Sequence, residues 1–396
     1  MEHSTFAPPA HAAGRNTVFT PFNIVTGIII AIGCVLTVLR FTKGIGAVSN
    51  MNDTNPWGIW IGFDLLCGVA LAAGGYVTCA TCYIFGFKHF RCAVRPAILT
   101  AFLGYGLVVF ALNYDVGRPW RLPYPIFVSQ GTSSILFEVA LCVFLYLSVL
   151  LLEFSPAAFE WLNWKRARYI IGKVSMILVI FGIILSTLHQ SSLGALYMIA
   201  PSKLHPLWHS GYLPVYFFIS SIFAGMSMVM FEHALVDRFL HHKLDLEHEV
   251  ESNNVALGFA KAASFLMMGY IMIQVIGIAM DNDWKYLFTR WGLWYLIEII
   301  GFVGLPAVFF AVGVREGNIS LIHRASAWAV FGIVLNRLNI SLVAFNWQLP
   351  LAQRYFPSWM EIMTTIFIIT IGVVAFKFVV TRMPVLYAHP DFPDDH

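Results

Sequence analysis

Charge is scarce in this chain. Of its 396 residues, 11% are Asp, Glu, Lys or Arg, against about 25% in an ordinary soluble domain. Hydrophobic residues make up 59%, and the mean hydropathy is +0.74. This excludes a soluble globular fold and indicates an integral membrane protein. A net charge of +3 is too small to point to nucleic acid. No signal peptide is apparent. The first apolar run, from about Phe19, is too long for a signal core and lacks a small-residue cleavage site. The polar stretch Met1 to Thr17 reads as a short tail.

Cysteine is also sparse. The six are Cys34, Cys67, Cys79, Cys82, Cys92 and Cys142. Most fall in apolar runs and read as small buried hydrophobes. Cys79 and Cys82 form a CxxC, but within a membrane segment. There is no CxxCH haem-attachment motif and no run of cysteines able to hold an iron–sulfur cluster.

Long apolar runs, in contrast, are plentiful. Ten reach the roughly 20 residues needed to cross a bilayer. They lie near 19–39, 57–86, 95–114, 132–153, 169–189, 211–236, 258–280, 291–313, 321–343 and 359–381. The fold class is all-α: a polytopic membrane protein of about ten helices. Lys and Arg are denser in the loops that contain Lys88, Arg91, Lys165, Arg166 and Arg238 than in those that contain Lys43, Arg118 and Lys203. That bias puts the first set, and both termini, in the cytoplasm. The connection Asp237 to Asn254 reads as a solvated loop. Its His241, His242 and His248 have no fixed ligand spacing, and hydration explains them better than metal.

The stretch Trp57 to Tyr76 has a carboxylate at membrane depth. Asp64 falls about 10 Å below Trp57 at 1.5 Å per residue. Placing a charge there costs roughly 2.5–3.5 kcal/mol on insertion scales. Helical spacing groups Trp57, Trp60, Asp64, Gly68, Ala72 and Gly75 on one face. The small residues invite a neighbouring helix. Asp64 is then either a structural hydrogen-bond acceptor or a group serving a proton or buried ligand.

Other polar residues of the spans gather toward the same, outer side. Asp115 closes the third span. Glu138 is expected about two turns into the fourth, and His189 with Gln190 at the end of the fifth. Glu298, Gln274, Asn336, Arg337 and Asn339 lie in the outer parts of spans seven to nine. Comparable inner groups are Glu153, Glu232, His233 and His323. A transporter would place such groups near the midplane on interrupted helices. Glu298 and Arg337 could simply neutralise each other. Asp64, Glu138, Asp115 and His189 belong to spans two to five, which could form a four-helix bundle with a ligand pocket inside. A membrane haem needs axial histidines on facing helices. Only His233 and His323 offer such a pair, so haem and metal are poorly supported. A quinone fits better: it is apolar, its carbonyl oxygens need hydrogen-bond donors, and its reduction takes up protons.

These residues carry a family resemblance. The segments PWGIWIGFDLL, FLGYGL, YDVGRPWRLPY, SSILFE, LEFSPAAFE, HQSSLGALY, KLHPLWHS, SLVAFN and YFPSWMEI resemble the HybB type of the NrfD family. The chain is also similar to the membrane subunit of the high-molecular-weight cytochrome (Hmc) complex. The resemblance covers spans two to ten. It implies two four-helix bundles plus peripheral helices and no haem or iron–sulfur cluster of its own. The divisions are 1–56 (tail, first span, outer loop), 57–210 (first, quinone-binding bundle), 211–343 (second bundle) and 344–396 (outer loop, last span, tail). It implies an exchangeable quinone, menaquinone or ubiquinone, near the outer face of the bacterial inner membrane. Electrons would pass to or from a periplasmic ferredoxin-like iron–sulfur subunit, attached to a hydrogenase or a multihaem cytochrome c. The implied quinone-site residues are Trp57, Asp64, Tyr105, Asp115, Arg118, His189 and Gln190; the resemblance fixes no individual role, and the chemistry of an imidazole and a carboxylate leads to the expectation that His189 and Asp64 exchange protons with the quinone. In this family the first and tenth spans read as additions remote from the chemistry. Two other readings stand beside it. One is a proton-translocating subunit, with a path through Glu138, Glu232, His233, Glu298 and Arg337. The other is a cofactor-free membrane anchor.

Overall fold

A computed structural model describes residues 20–240 and 246–385. Among them, ten helices are long and apolar enough to cross a membrane. They are α1 (Pro21–Lys43), α2 (Trp60–Ile84), α3 (Lys88–Asp115), α4 (Ile135–Trp161), α5 (Lys165–Met198), α6 (Leu213–Arg238), α7 (Val250–Asp281), α8 (Arg290–Glu316), α9 (Ile319–Val343) and α10 (Trp359–Arg382). The protein is an all-α integral membrane protein, as its composition requires.

Local chemistry sets the helix ends. Thr20 caps α1 by accepting from the Asn23 amide, with Pro21 in the first turn, where its missing N–H costs nothing. Gly317 stops α8 in the left-handed conformation, at φ 64°. Ser358 and Glu361 form a reciprocal capping box on α10. Glu361 also accepts from the Asn50 amide and the Tyr355 hydroxyl, tying α10 to the loop before α2.

Packing follows chain order. Helices α2 to α5 surround one another as a first bundle, and α6 to α9 as a second, while α1 lies on α10 and α10 on α3. Helix α2 is the axis: 78% of its apolar window is buried, against 11% for α1. Small residues permit this. A Cβ on Gly225 of α6 would sit 2.5 Å from the Gly74 nitrogen of α2, so the two bundles meet backbone to backbone. Gly75 stands against Ala101, and Gly104 against Ala72, closing α2 on α3 in the same way.

The boundaries bring several corrections. Helix α5 runs 34 residues, about 51 Å, well beyond a 30 Å hydrocarbon core. His189 and Gln190 therefore lie inside it rather than at its end. Helix α4 starts at Ile135, which places Glu138 in its first turn, where a carboxylate suits the helix dipole. The expected solvated connection after Asp237 is largely helical. Helix covers the described residues up to Leu240 and again Leu246–Asp281. His241, His242 and both tails lie outside the described residues.

Among the described residues four stretches wind as π-helix: Trp60–Leu65, Ala80–Ile84, Ile297–Gly304 and Asn339–Val343. Three of them hold Asp64, Glu298 and Asn339. Wider turns of this kind often accompany functional sites.

Candidate functional site

In the first bundle, four polar side chains from three helices converge: Tyr105 on α3, Tyr146 on α4, and Ser186 and His189 on α5. Ser186 and His189 share a helix face by their i, i+3 spacing. The Tyr105 ring stands edge-on to Tyr146, centroids 4.6 Å apart, and 5.7 Å from His189. All four are buried, His189 completely. Yet among the described residues the Tyr105 and Tyr146 hydroxyls, Ser186 Oγ and both His189 ring nitrogens make no hydrogen bond of good geometry, although Ser186 lies close to both hydroxyls. A buried polar atom left unpaired costs about 1–3 kcal/mol. Five such atoms side by side make an arrangement able to donate to and accept from a small polar group. A neutral imidazole supplies one donor and one acceptor, and each hydroxyl supplies both. His189 lies about 14 Å along α5 from Met198.

Toward the Trp57 end the walls become aromatic. Trp57 contacts Tyr197 and Phe345, with centroids 5.4 and 5.6 Å away. Gln190 Nε2 donates to the Val69 carbonyl at 3.0 Å, fixing α5 on α2.

The remaining expected site residues scatter. Asp64 faces α10, where it accepts from Thr365 Oγ1 at 2.8 Å. It shares no hydrogen-bond partner with His189 among the described residues. Asp115 sits beside Arg40 of α1, whose guanidinium donates to the Tyr114 and Val116 carbonyls, both at 2.8 Å. Arg118 is exposed and makes no ion pair with Asp115 among the described residues. Glu138 is exposed at the start of α4 and accepts from Ser192 Oγ at 2.5 Å.

The second bundle holds a chain of paired polar groups. Glu298 is buried and accepts from Trp208 Nε1 at 2.9 Å, Asn336 Nδ2 and Asn339 Nδ2. Arg337 donates to Asn336 Oδ1 at 2.8 Å and to Ser220 Oγ at 2.7 Å, and it lies 3.8 Å over the Phe217 ring. Asn336 thus stands between the two charges, in place of the direct pair expected. Glu232 and His233 lie far along α6, the His233 ring edge-on to His323 at 5.2 Å. Of the groups expected on a proton path, Glu298 and Arg337 share a hydrogen-bond partner, Asn336.

Above both bundles the loops are pinned together by His205. Its amide donates to the Ala344 carbonyl at 3.1 Å, and its Nδ1 accepts from the Leu207 amide. Its ring sits among Trp208, Tyr286, Trp291 and Trp347. Burial among these rings pushes the imidazole down to about 4.

Sequence reasoning named Tyr105 and His189 but missed Tyr146, Ser186 and Thr365. Tyr, Ser and Thr are ordinary in apolar helices. The one available signal was the i, i+3 pairing of Ser186 with His189.

Comparison with known proteins fits this arrangement. Residues 47–346 match the family model "Polysulphide reductase, NrfD". The chain belongs to the NrfD family. The match takes in α2 to α9 and leaves α1 and α10 outside. A protein of Nitratidesulfovibrio vulgaris (strain Hildenborough), named only "Protein", is 62% identical over 98% of this chain and 100% of its own length. The probable Ni/Fe-hydrogenase 2 b-type cytochrome subunit of Escherichia coli (strain K12) is 32% identical, covering 92% of each chain. The menaquinone reductase integral membrane subunit of N. vulgaris is 25% identical over 81% of this chain and 80% of its own length. This NrfD protein is a membrane subunit of a respiratory redox complex.

Proposed function

We propose that this NrfD subunit binds a quinone in its first bundle, with the headgroup beside His189 and Tyr105. The observation that carries this is the group of unpaired buried atoms on Tyr105, Tyr146, Ser186 and His189. The printed name of the menaquinone reductase relative supports it. A quinone carbonyl accepts hydrogen bonds, and reduction to quinol takes two electrons and two protons. His189 and Tyr105 are the groups placed to donate to one carbonyl oxygen and to pass a proton to it. Trp57, Tyr197 and Gln190 build the wall above them. Arg118 belongs to the surrounding surface, while Asp115 is half-buried beside Arg40, with an Oδ1 that has no hydrogen-bond partner among the described residues. Asp64, turned to α10, holds the helix contact instead of exchanging protons with His189.

In this reading the chain lies in the bacterial inner membrane. Its lysine- and arginine-rich end and both termini are cytoplasmic. Electrons cross at the Trp57 end to or from a periplasmic iron–sulfur subunit of a hydrogenase or a cytochrome c complex, and menaquinone is the favoured carrier. The divisions at 57–210 and 211–343 then separate a reactive bundle from a supporting one.

The name of the E. coli relative raises haem b. Two axial imidazoles would have to face each other across a porphyrin. His233 and His323 instead touch edge to face, and His189 meets Tyr105. These residues do not fit a bis-histidine haem.

The test is His189→Ala in the purified complex. Quinone-linked turnover and binding of a quinol analogue should fall sharply while the subunits stay assembled. Unchanged binding and turnover would sink the assignment and favour a plain anchor.

A further inference from the structure

The first bundle holds a second feature, independent of the quinone reading. A cavity of about 770 Å³ opens between α2, α3, α4 and α5 at their lysine- and arginine-rich end. Lys88, Arg91 and Arg95 from the start of α3, and Arg168 from the start of α5, line it. Two carboxylates also face it, Glu153 from α4 and Glu251 from α7, so the lining keeps a positive excess. Glu160 fixes two of the cations. It takes Arg95 in a fork at 2.9 and 3.0 Å and Arg168 at 2.8 Å, from a fully buried position.

The cavity is not uniformly polar. Ile98 on α3, Phe154 on α4, and Leu178 and Val179 on α5 form its deeper walls. Ile98 is about 10 Å along α3 from Arg91, and Val179 about 16 Å along α5 from Arg168. The α3 cations therefore spread over about 10 Å from Lys88 to Arg95, and the apolar lining continues inward beyond Arg95 on α3 and beyond Arg168 on α5. The first turns of α3 and α5 border the mouth, and the N-cap residue of α5, Trp164, supplies no side-chain cap. Helix N-termini favour an anion placed there.

We propose that this cavity binds a membrane glycerophospholipid. Its phosphate lies among Lys88, Arg91, Arg95 and Arg168, and an acyl chain runs along Ile98, Phe154, Leu178 and Val179. Charge complementarity selects a phosphate, and the length of the apolar wall selects a lipid over inorganic phosphate. Basic pockets between membrane helices take phospholipid headgroups on this chemistry. The lipid would fill the space between α3 and α5 at the end opposite Trp57 and stiffen the bundle that carries His189.

The test is native mass spectrometry of the intact complex, wild type beside Lys88→Glu with Arg91→Glu, and beside Leu178→Trp. Wild type should retain one phospholipid per copy, and both variants should lose it. Inorganic phosphate added to the wild type should not displace it. The gentler pair Lys88→Gln with Arg91→Gln should weaken retention if the charge-reversed protein fails to assemble. A wild type without bound phospholipid, equal retention in the variants, or displacement by phosphate would each overturn the proposal. Quinol-analogue binding, read on the same samples, reports separately on the site at His189.

Discussion

Thr365 on α10 donates its hydroxyl to Asp64 Oδ2 on α2 at 2.8 Å. The family match ends at residue 346, before α10 begins. A helix outside the matched residues thus satisfies the acidic side chain most deeply set in α2. The tenth span, expected to be remote from the chemistry, braces the axis of the first bundle.

Removing that hydroxyl strands the carboxylate. Thr365→Val should lower stability by about 1–3 kcal/mol, and Asp64→Asn by less, because a neutral amide is cheaper to bury. Thermal unfolding of the detergent-solubilised complex measures this. Turnover per folded complex should stay near wild type in both, and a selective loss of turnover in Asp64→Asn would return that residue to the chemistry.

The hydroxyls near His189 should behave in the opposite sense. Tyr105→Phe and Ser186→Ala delete atoms that make no hydrogen bond of good geometry among the described residues. Stability should hold or rise by up to about 1 kcal/mol, while quinol-analogue binding weakens by roughly 2- to 10-fold, the worth of one hydrogen bond. Destabilisation with unaltered binding would mark them as structural.

The Glu298–Asn336–Arg337 chain predicts strong coupling. Arg337→Met should cost about 3–5 kcal/mol by leaving Glu298 as an uncompensated buried charge. The double change with Glu298→Gln should recover part of that loss. A double-mutant cycle on unfolding reads the coupling energy, and additivity would mean that Asn336 does not link the two charges.

His205 makes the loop cover acid-sensitive. Its folded value is about 4, while in the unfolded chain it is near 6.5. As pH falls below about 6.5 the unfolded chain gains a proton that the folded one refuses until about 4. Stability therefore drops through that window and levels off above it. His205→Phe should flatten this part of the pH dependence of unfolding while keeping the ring packing. An unchanged slope would assign the acid sensitivity to other groups.

Much of the architecture was legible in the residues. Hydrophobic length located all ten helices, because a bilayer demands about 20 apolar residues wherever a chain crosses it. Helix ends were less legible, since α5 continues helical to Met198 past the apolar stretch that marked its span. The candidate site was half legible. His189 stood out as a titratable group among apolar neighbours, but Tyr146 did not, because a phenol is unremarkable in such a helix.

Composition alone decided that this protein lives in a membrane, and segment motifs decided its family. Which polar groups meet was decided only in three dimensions. Asp64 and His189 both read as inward-facing. One turns to Thr365 and the other to Tyr105, because each helix of a bundle has several neighbours. Spacing along a chain fixes an angle about the helix axis, not the identity of the helix waiting there.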